Sequence, residues 1–204
     1  MGRVLFLTGL PGAGKTTALR RVVDALGDGC CHGFLTEEMR NPISAAREGF
    51  QIVWRTPLAP LAHVDVMCLG EAARMRQNVV GKYVVDVAAV DTHCTDAIHC
   101  ALTDPLISVL VIDEVGKMEL FSQRFREAVL AAVVGPKPVV GTIMLKGGNA
   151  FIDSLKQMPN VEVWEVTADN RDRMCENVVA WVRALLPERP TPPSAPKTVK
   201  NRLQ

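Results

Sequence analysis

The sequence predicts an α/β protein: a mostly parallel sheet flanked by helices on both faces, with an additional antiparallel hairpin. Three observations carry the prediction. Short apolar runs alternate with longer stretches of helical spacing along most of the 204 residues, the order that strand–helix–strand units impose. Residues 108–113 (SVLVID) are apolar with almost no alternation, as a parallel strand covered on both faces should be. The first apolar run passes through a glycine-rich loop straight into a helical pattern. Composition agrees. Hydrophobic residues make up 48% and charged residues 22%, which describes an ordinary globule and excludes a disordered, collagen-like or disulfide-dense chain.

The elements follow in order. Residues 4–8 read as a buried strand. Residues 15–26 place Ala18, Leu19, Val22, Val23 and Leu26 on one helical stripe and stop at Gly27. Residues 31–39 read as a strand. Residues 49–55 alternate through Phe50, Ile52 and Trp54 and return as its hairpin partner. Residues 56–79 resist assignment, because Pro57, Pro60 and Gly70 break any period. A short strand at 83–87, a helix at 90–102, the strand at 108–113 and a helix at 121–134 come next. Gly135-Pro136 ends that helix. A strand at 138–145, a short helix at 151–158, a strand at 161–167 and a long helix at 170–186 complete the pattern.

This organisation predicts one domain over residues 1–186. Residues 187–204 hold five prolines and net +3, which predicts a proline-rich, basic, disordered tail. The whole chain nets +1. It has no global basic field, so neither nucleic acid nor an anionic membrane is an expected partner. Tyr83 is the sole tyrosine and the three tryptophans are scattered, so no aromatic–basic platform for single strands is visible.

Six cysteines occur without an export signal, which predicts reduced thiols and a cytoplasmic setting. His93-Cys94 and His99-Cys100 match no zinc spacing and fall within a helical pattern. No run approaches the ~18 apolar residues of a membrane span. Phe6 stands where an N-myristoylation signal needs Ser or Thr.

The loop Gly9-Leu10-Pro11-Gly12-Ala13-Gly14-Lys15-Thr16 fits G-x-x-x-x-G-K-[ST] in full, with a strand before it and a helix after it. The residue types follow from the ligand's charge. A polyphosphate needs many donors and no bulk. Glycines let successive backbone N–H groups turn inward, and the helix N-terminus adds partial positive charge. Lys15 is expected to reach the β- and γ-phosphates and Thr16 to ligate Mg²⁺, with Thr17 touching the α-phosphate.

The run Leu110-Val111-Ile112-Asp113-Glu114 ends a buried strand in two acids. Asp113 is the candidate second support for Mg²⁺, and Glu114 the candidate that orients or deprotonates the attacking water. Lys15 and Asp113 stand 98 positions apart. That separation suits the phosphate-loop branch that inserts a strand between these two in the sheet. No N-K-x-D motif is present, so strict guanine selection is not expected.

Together, the segments at 6–17 (FLTGLPGAGKTT), 33–38 (GFLTEE), 81–86 (GKYVVD), 111–122 (VIDEVGKMELFS), 141–143 (GTI) and 166–171 (VTADNR) resemble one family. It is the small nucleoside-triphosphatases typified by the cancer-related nucleoside-triphosphatase and its thermophile phosphohydrolase relatives. The string DEVGKMELFS is the specific part, since Gly116, Lys117, Met118 and Glu119 belong to no general phosphate-loop pattern. The resemblance implies a P-loop NTPase fold with slow, Mg²⁺-dependent hydrolysis of NTPs to NDP and phosphate. It also implies broad base tolerance, with ATP, GTP, CTP and UTP as substrates, and a monomer is expected. Carried over by position, residues Gly9 to Thr16 bind phosphates, Asp113 serves Mg²⁺ and Glu114 activates water. Lys117 holds Glu114 or touches the γ-phosphate.

Other residues are weighed on their positions. Arg171 follows the last strand and could stack on a base, or it could simply open a helix capped by Asp169 or Asn170. Lys146 could approach the γ-phosphate. Glu37 and Glu38 could face the site or a solvated edge. A small-molecule kinase, with Arg74 and Arg76 on a lid, and a nucleotide-dependent binding switch are the competing functions.

Overall fold

The computed structural model describes residues 1–27, 29–54, 56–64, 78–146 and 149–187. Among these residues nine strands form one sheet. They are β1 (Val4–Thr8), β2 (Cys31–Arg40), β3 (Arg47–Trp54), β4 (Thr56–Val64), β5 (Val79–Val80), β6 (Tyr83–Val85), β7 (Val109–Val115), β8 (Val139–Ile143) and β9 (Val161–Glu165). Their order across the sheet is β5-β6-β4-β3-β2-β7-β8-β1-β9. The five strands from β2 to β9 in that order pair in parallel. Strand β8 lies between β1, which leads into the phosphate loop, and β7, which carries Asp113. This is the inserted strand that the long spacing predicts.

The sheet divides two apolar layers, and strand alternation sorts residues between them. Val4 and Phe6 face one core while Leu5 and Leu7 face the other. On β7, Leu110 and Ile112 join the first core and Val109 and Val111 the second. All five residues of β1 are buried. Helices α1 (Lys15–Leu26) and α6 (Arg171–Arg183) supply Leu19, Val22, Val178 and Val182 to the second core. The first core is closed by α3 (Asp96–Thr103), α4 (Gln123–Val134) and α5 (Ala150–Lys156), through Ile98, Phe125, Val129 and Ile152. Each fully buried Leu, Val or Phe contributes about 1.5–3 kcal/mol, and the continuous apolar runs are needed because both faces are covered.

Strand β2 serves two partners. Its first residues run parallel to β7 (Cys31 opposite Val109), and its later ones run antiparallel to β3 (Leu35 opposite Val53). Beyond β3 the arm continues through β4, β6 and β5, all antiparallel. The hairpin expected from sequence is therefore the root of a larger antiparallel arm. Residues 56–64, unassigned above, form its third strand. The prolines hide that strand from any periodic reading. They are tolerated because β3 and β4 slip register between Phe50 and Gln51 and again between Ile52 and Val53, and a bulge removes the need for a ladder donor. Residues 65–77, including Arg74 and Arg76, lie outside the described residues, as does the tail from 188 onward.

The helix expected over 90–102 is three pieces: α2 (Val87–Ala89), a π-helical turn over Val90–Thr95, and α3. The helix expected from 121 begins at Gln123, after a 3₁₀ turn over Glu119–Phe121. Ser122 caps it by accepting from the Phe125 N–H at 2.9 Å. Among the described residues no helix is long and apolar enough to cross a membrane.

Candidate active site

The site lies at the carboxyl ends of β1, β7 and β8, where ligands of open α/β sheets bind. The loop after β1 needs its glycines at two places. A β-carbon on Gly9 would stand 2.3 Å from the Val166 carbonyl oxygen. Gly14 precedes α1 with φ 108°, a left-handed conformation that other residues avoid. No side chain caps α1, and its first turn has no acidic residue. Its opening N–H groups therefore remain available to an anion. Lys15 folds back over the loop, donating to the Gly9 and Leu10 carbonyls at 3.0 and 3.2 Å.

Asp113 is buried, with 1% of its surface exposed. It accepts from the Thr16 hydroxyl at 2.7 Å, the Thr142 hydroxyl at 2.5 Å and the Thr36 N–H at 3.5 Å. Burial raises its pKa, while these donors and Lys15 act in the opposite direction. Glu114 comes to the same side through a register shift. Strand β7 pairs Ile112 with Gly141 and then Val115 with Ile143, so two residues of β7 oppose the single Thr142. A bulge of this kind re-aims consecutive side chains that a regular strand would send to opposite faces. Burial, and then the charge of Asp113, raise the Glu114 pKa, with Lys15 opposing.

One cavity of about 560 Å³ joins these groups. Its polar wall includes residues 9–12, Lys15, Thr16, Glu114, Lys117, Glu119 and Lys146. Its apolar wall comes from Phe50 and Leu61 of the arm, Val80, and Met118 and Met144 beside β7 and β8. Among the expected residues, Gly9 to Gly12, Lys15, Thr16, Glu114 and Lys117 thus line one cavity, with Asp113 behind it, bonded to Thr16, and Gly14 on an adjoining cleft. Lys146 joins them. Thr17 and Glu37 instead border that cleft beside α1, where Glu37 pairs with Arg20. Arg171 opens α6, and its β-carbon would be 3.4 Å from a β-carbon on Gly14. It packs on the α1 end of the loop and does not line the cavity. Asn170 holds the turn ahead of Arg171, accepting from the Thr167 N–H and donating to the Glu165 carbonyl, both at 2.9 Å.

Glu38 lines the cavity and pairs with Arg40 and Arg47. Sequence reasoning gives no role to Arg47, Thr36 or Thr142, although Thr36 and Thr142 fall within the segments 33–38 and 141–143 that carry the resemblance. It also assigns no role to Glu119, although an acid between Met118 and Leu120 is a visible signal. Glu119 is 4% exposed, and its pKa is pushed up to about 8, by burial first and by Glu114 second.

The residues present fit Mg²⁺. A hydroxyl and a carboxylate oxygen, both hard donors, meet at the start of α1. Among the described residues no cluster of three or more His, Cys, Asp or Glu forms a metal cage. Mg²⁺ bound with a nucleotide needs none, since it takes its remaining ligands from phosphate and water.

A family model described as NTPase matches residues 4–179. The cancer-related nucleoside-triphosphatase of Homo sapiens is 34% identical over 192 residues, covering 90% of this chain and 98% of that protein. Nucleoside-triphosphatase THEP1 of Aquifex aeolicus is 30% identical over 180 residues, covering 86% and 97%. The crystal structure of the latter superposes with a TM-score of 0.72 over 88% of this chain. The solution structure of the human protein does so with 0.73 over 90%.

Proposed function

The chain belongs to this NTPase family and is a nucleoside-triphosphatase, and from that premise we propose a Mg²⁺-dependent hydrolysis of NTPs to NDP and phosphate with broad base tolerance. The observation that carries the reading is the meeting of Lys15, Thr16 and Glu114 on one cavity, with Asp113 bonded to Thr16. Thr16 and Asp113 would hold the ion, Asp113 through water. When bound, Mg²⁺ offsets charge on the β- and γ-oxygens.

The chain's own residues do the rest. Lys15 exchanges the Gly9 and Leu10 carbonyls for phosphate oxygens. Backbone N–H groups of residues 9–16 hold the chain of phosphates. Glu114 accepts a hydrogen bond from a water in line with the γ-phosphorus. The water oxygen bonds to phosphorus, the bond to the bridging oxygen breaks, NDP leaves, and Glu114 takes the proton. A carboxylate with a raised pKa is a stronger base near neutral pH. Lys117 and Lys146 add positive charge around the terminal phosphate. Arg171, on the opposite end of the loop, stacks on the base without reading its edge, which supports broad tolerance. Phosphate release from ATP, GTP, CTP and UTP, with and without Mg²⁺, tests this. All four should turn over with Mg²⁺ only, and Lys15→Ala should abolish release. Mg²⁺-independent release would overturn it.

The apolar wall favours a second reading. Away from the phosphate loop, Phe50, Leu61, Val80, Met118 and Met144 bound space that an attacking water does not need. Transfer of the γ-phosphoryl group to a small apolar alcohol would use that space. Labelled ATP incubated with candidate alcohols separates the two, since hydrolysis yields only free phosphate.

A further inference from the structure

Among the described residues, the hydrolytic scheme leaves the one buried acid of the cavity wall unused. Glu119 is almost wholly buried, a state glutamate rarely adopts without a partner. It starts the 3₁₀ turn after β7 and lines the same wall as Glu114 and Lys117. The turn sets its place, with the Leu120 N–H donating to the Gly116 carbonyl at 3.1 Å and the Ser122 N–H to the Glu119 carbonyl at 3.0 Å. Glu114 arrives over the same glycine. Glu114 Oε1 and Glu119 Oε2 would each stand 3.0 Å from a β-carbon on Gly116. The two carboxyl groups are gathered across the one residue of this loop that has no side chain.

Building on the hydrolytic reading above, we infer that Glu119 is a positioning residue for Glu114, holding it toward the terminal phosphate, and that Gly116 is glycine because a β-carbon would part the two. Two carboxylates this close repel, whereas a pair that shares a proton is held by a hydrogen bond. Glu119 is 4% exposed and Glu114 only half-buried, so Glu119 is the one that keeps the proton and donates, and Glu114 accepts. The closeness of Glu114 asks for a donor at position 119. Glutamine provides one, and alanine does not.

The test is steady-state hydrolysis of Mg·ATP by the full chain carrying Gly116→Ala, Glu119→Ala or Glu119→Gln. Mg·ADP affinity and thermal midpoint are measured beside it. Gly116→Ala and Glu119→Ala should lower kcat about 10- to 100-fold, as displaced catalytic groups do, with KM and Mg·ADP affinity within about threefold. Glu119→Gln should recover at least a tenth of the wild-type kcat. Gly116→Ala adds one methyl group and keeps the question open should Glu119→Ala fail to fold. Unchanged kcat in Gly116→Ala would overturn the inference. So would a loss in KM and ADP affinity instead of kcat, or a Glu119→Gln as slow as Glu119→Ala. A wild-type chain that binds Mg·ADP but hydrolyses no NTP would sink the hydrolytic reading first, and this inference with it.

Discussion

Glu114 is where the chemistry narrows to one side chain. Glu114→Gln keeps the shape and the hydrogen-bonding reach but loses the base. Nucleotide affinity should hold within about threefold while phosphate release falls about 10²- to 10⁴-fold, the usual contribution of a general base. Normal release by that variant would show that another group handles the water. Glu119 yields a prediction about stability. Its folded pKa stands at about 8 against an ordinary 4.5, so the folded state holds the proton more tightly than the unfolded one. The stability tied to that proton is full below about pH 4.5 and is lost as pH climbs through about 8. Asp113 and Glu114 shift in the same direction. The urea midpoint of the nucleotide-free protein should therefore fall between pH 6 and pH 9, and Glu119→Gln should flatten the slope. A level wild-type profile would refute this.

At the scale of elements, β7 and its neighbours decide where the acids point. An apolar run ending in Asp-Glu is legible in sequence because both faces of β7 are covered. The bulge that turns Asp113 and Glu114 to one side is not, since it arises from pairing with β8. The antiparallel arm teaches the same lesson. Phe50 shows its alternation, and it meets Tyr83 edge to face at 5.2 Å. Leu61 sits on a strand whose prolines obscure it, yet both Phe50 and Leu61 line the cavity. Helix α4 packs on β2, with Phe125 fully buried and edge to face with Phe34 at 5.9 Å. Phe125→Ala should destabilise the fold by about 3–5 kcal/mol, the cost of an aromatic cavity, as read from denaturant midpoints. A cost below about 1 kcal/mol would mean that the layer collapses around the gap.

At the scale of the molecule, one sheet serves two tasks. Its parallel half holds the phosphate loop and the acids, and its antiparallel half supplies Phe50, Leu61 and Val80 to the apolar wall of the cavity. The domain expected over residues 1–186 includes all of this. A chain ending at residue 187 should keep its turnover within about twofold, since the loop, the acids and the apolar wall that bound the cavity all lie between Gly9 and Lys146. Loss of hydrolysis on that truncation would place part of the site in the tail.

The sequence by itself determined the phosphate loop, the acidic strand end and the alternation that makes a covered parallel sheet. Each is a local matter: glycines to bend a backbone, a lysine and threonine at a helix start, an apolar period to bury a strand. Only the tertiary structure decided that Glu119 meets Glu114 over Gly116, that Thr142 and Thr36 support Asp113, and that Arg171 stands apart from the cavity. Those placements depend on which strands become neighbours and where their registers slip, and such contacts are set by packing between segments far apart in the chain.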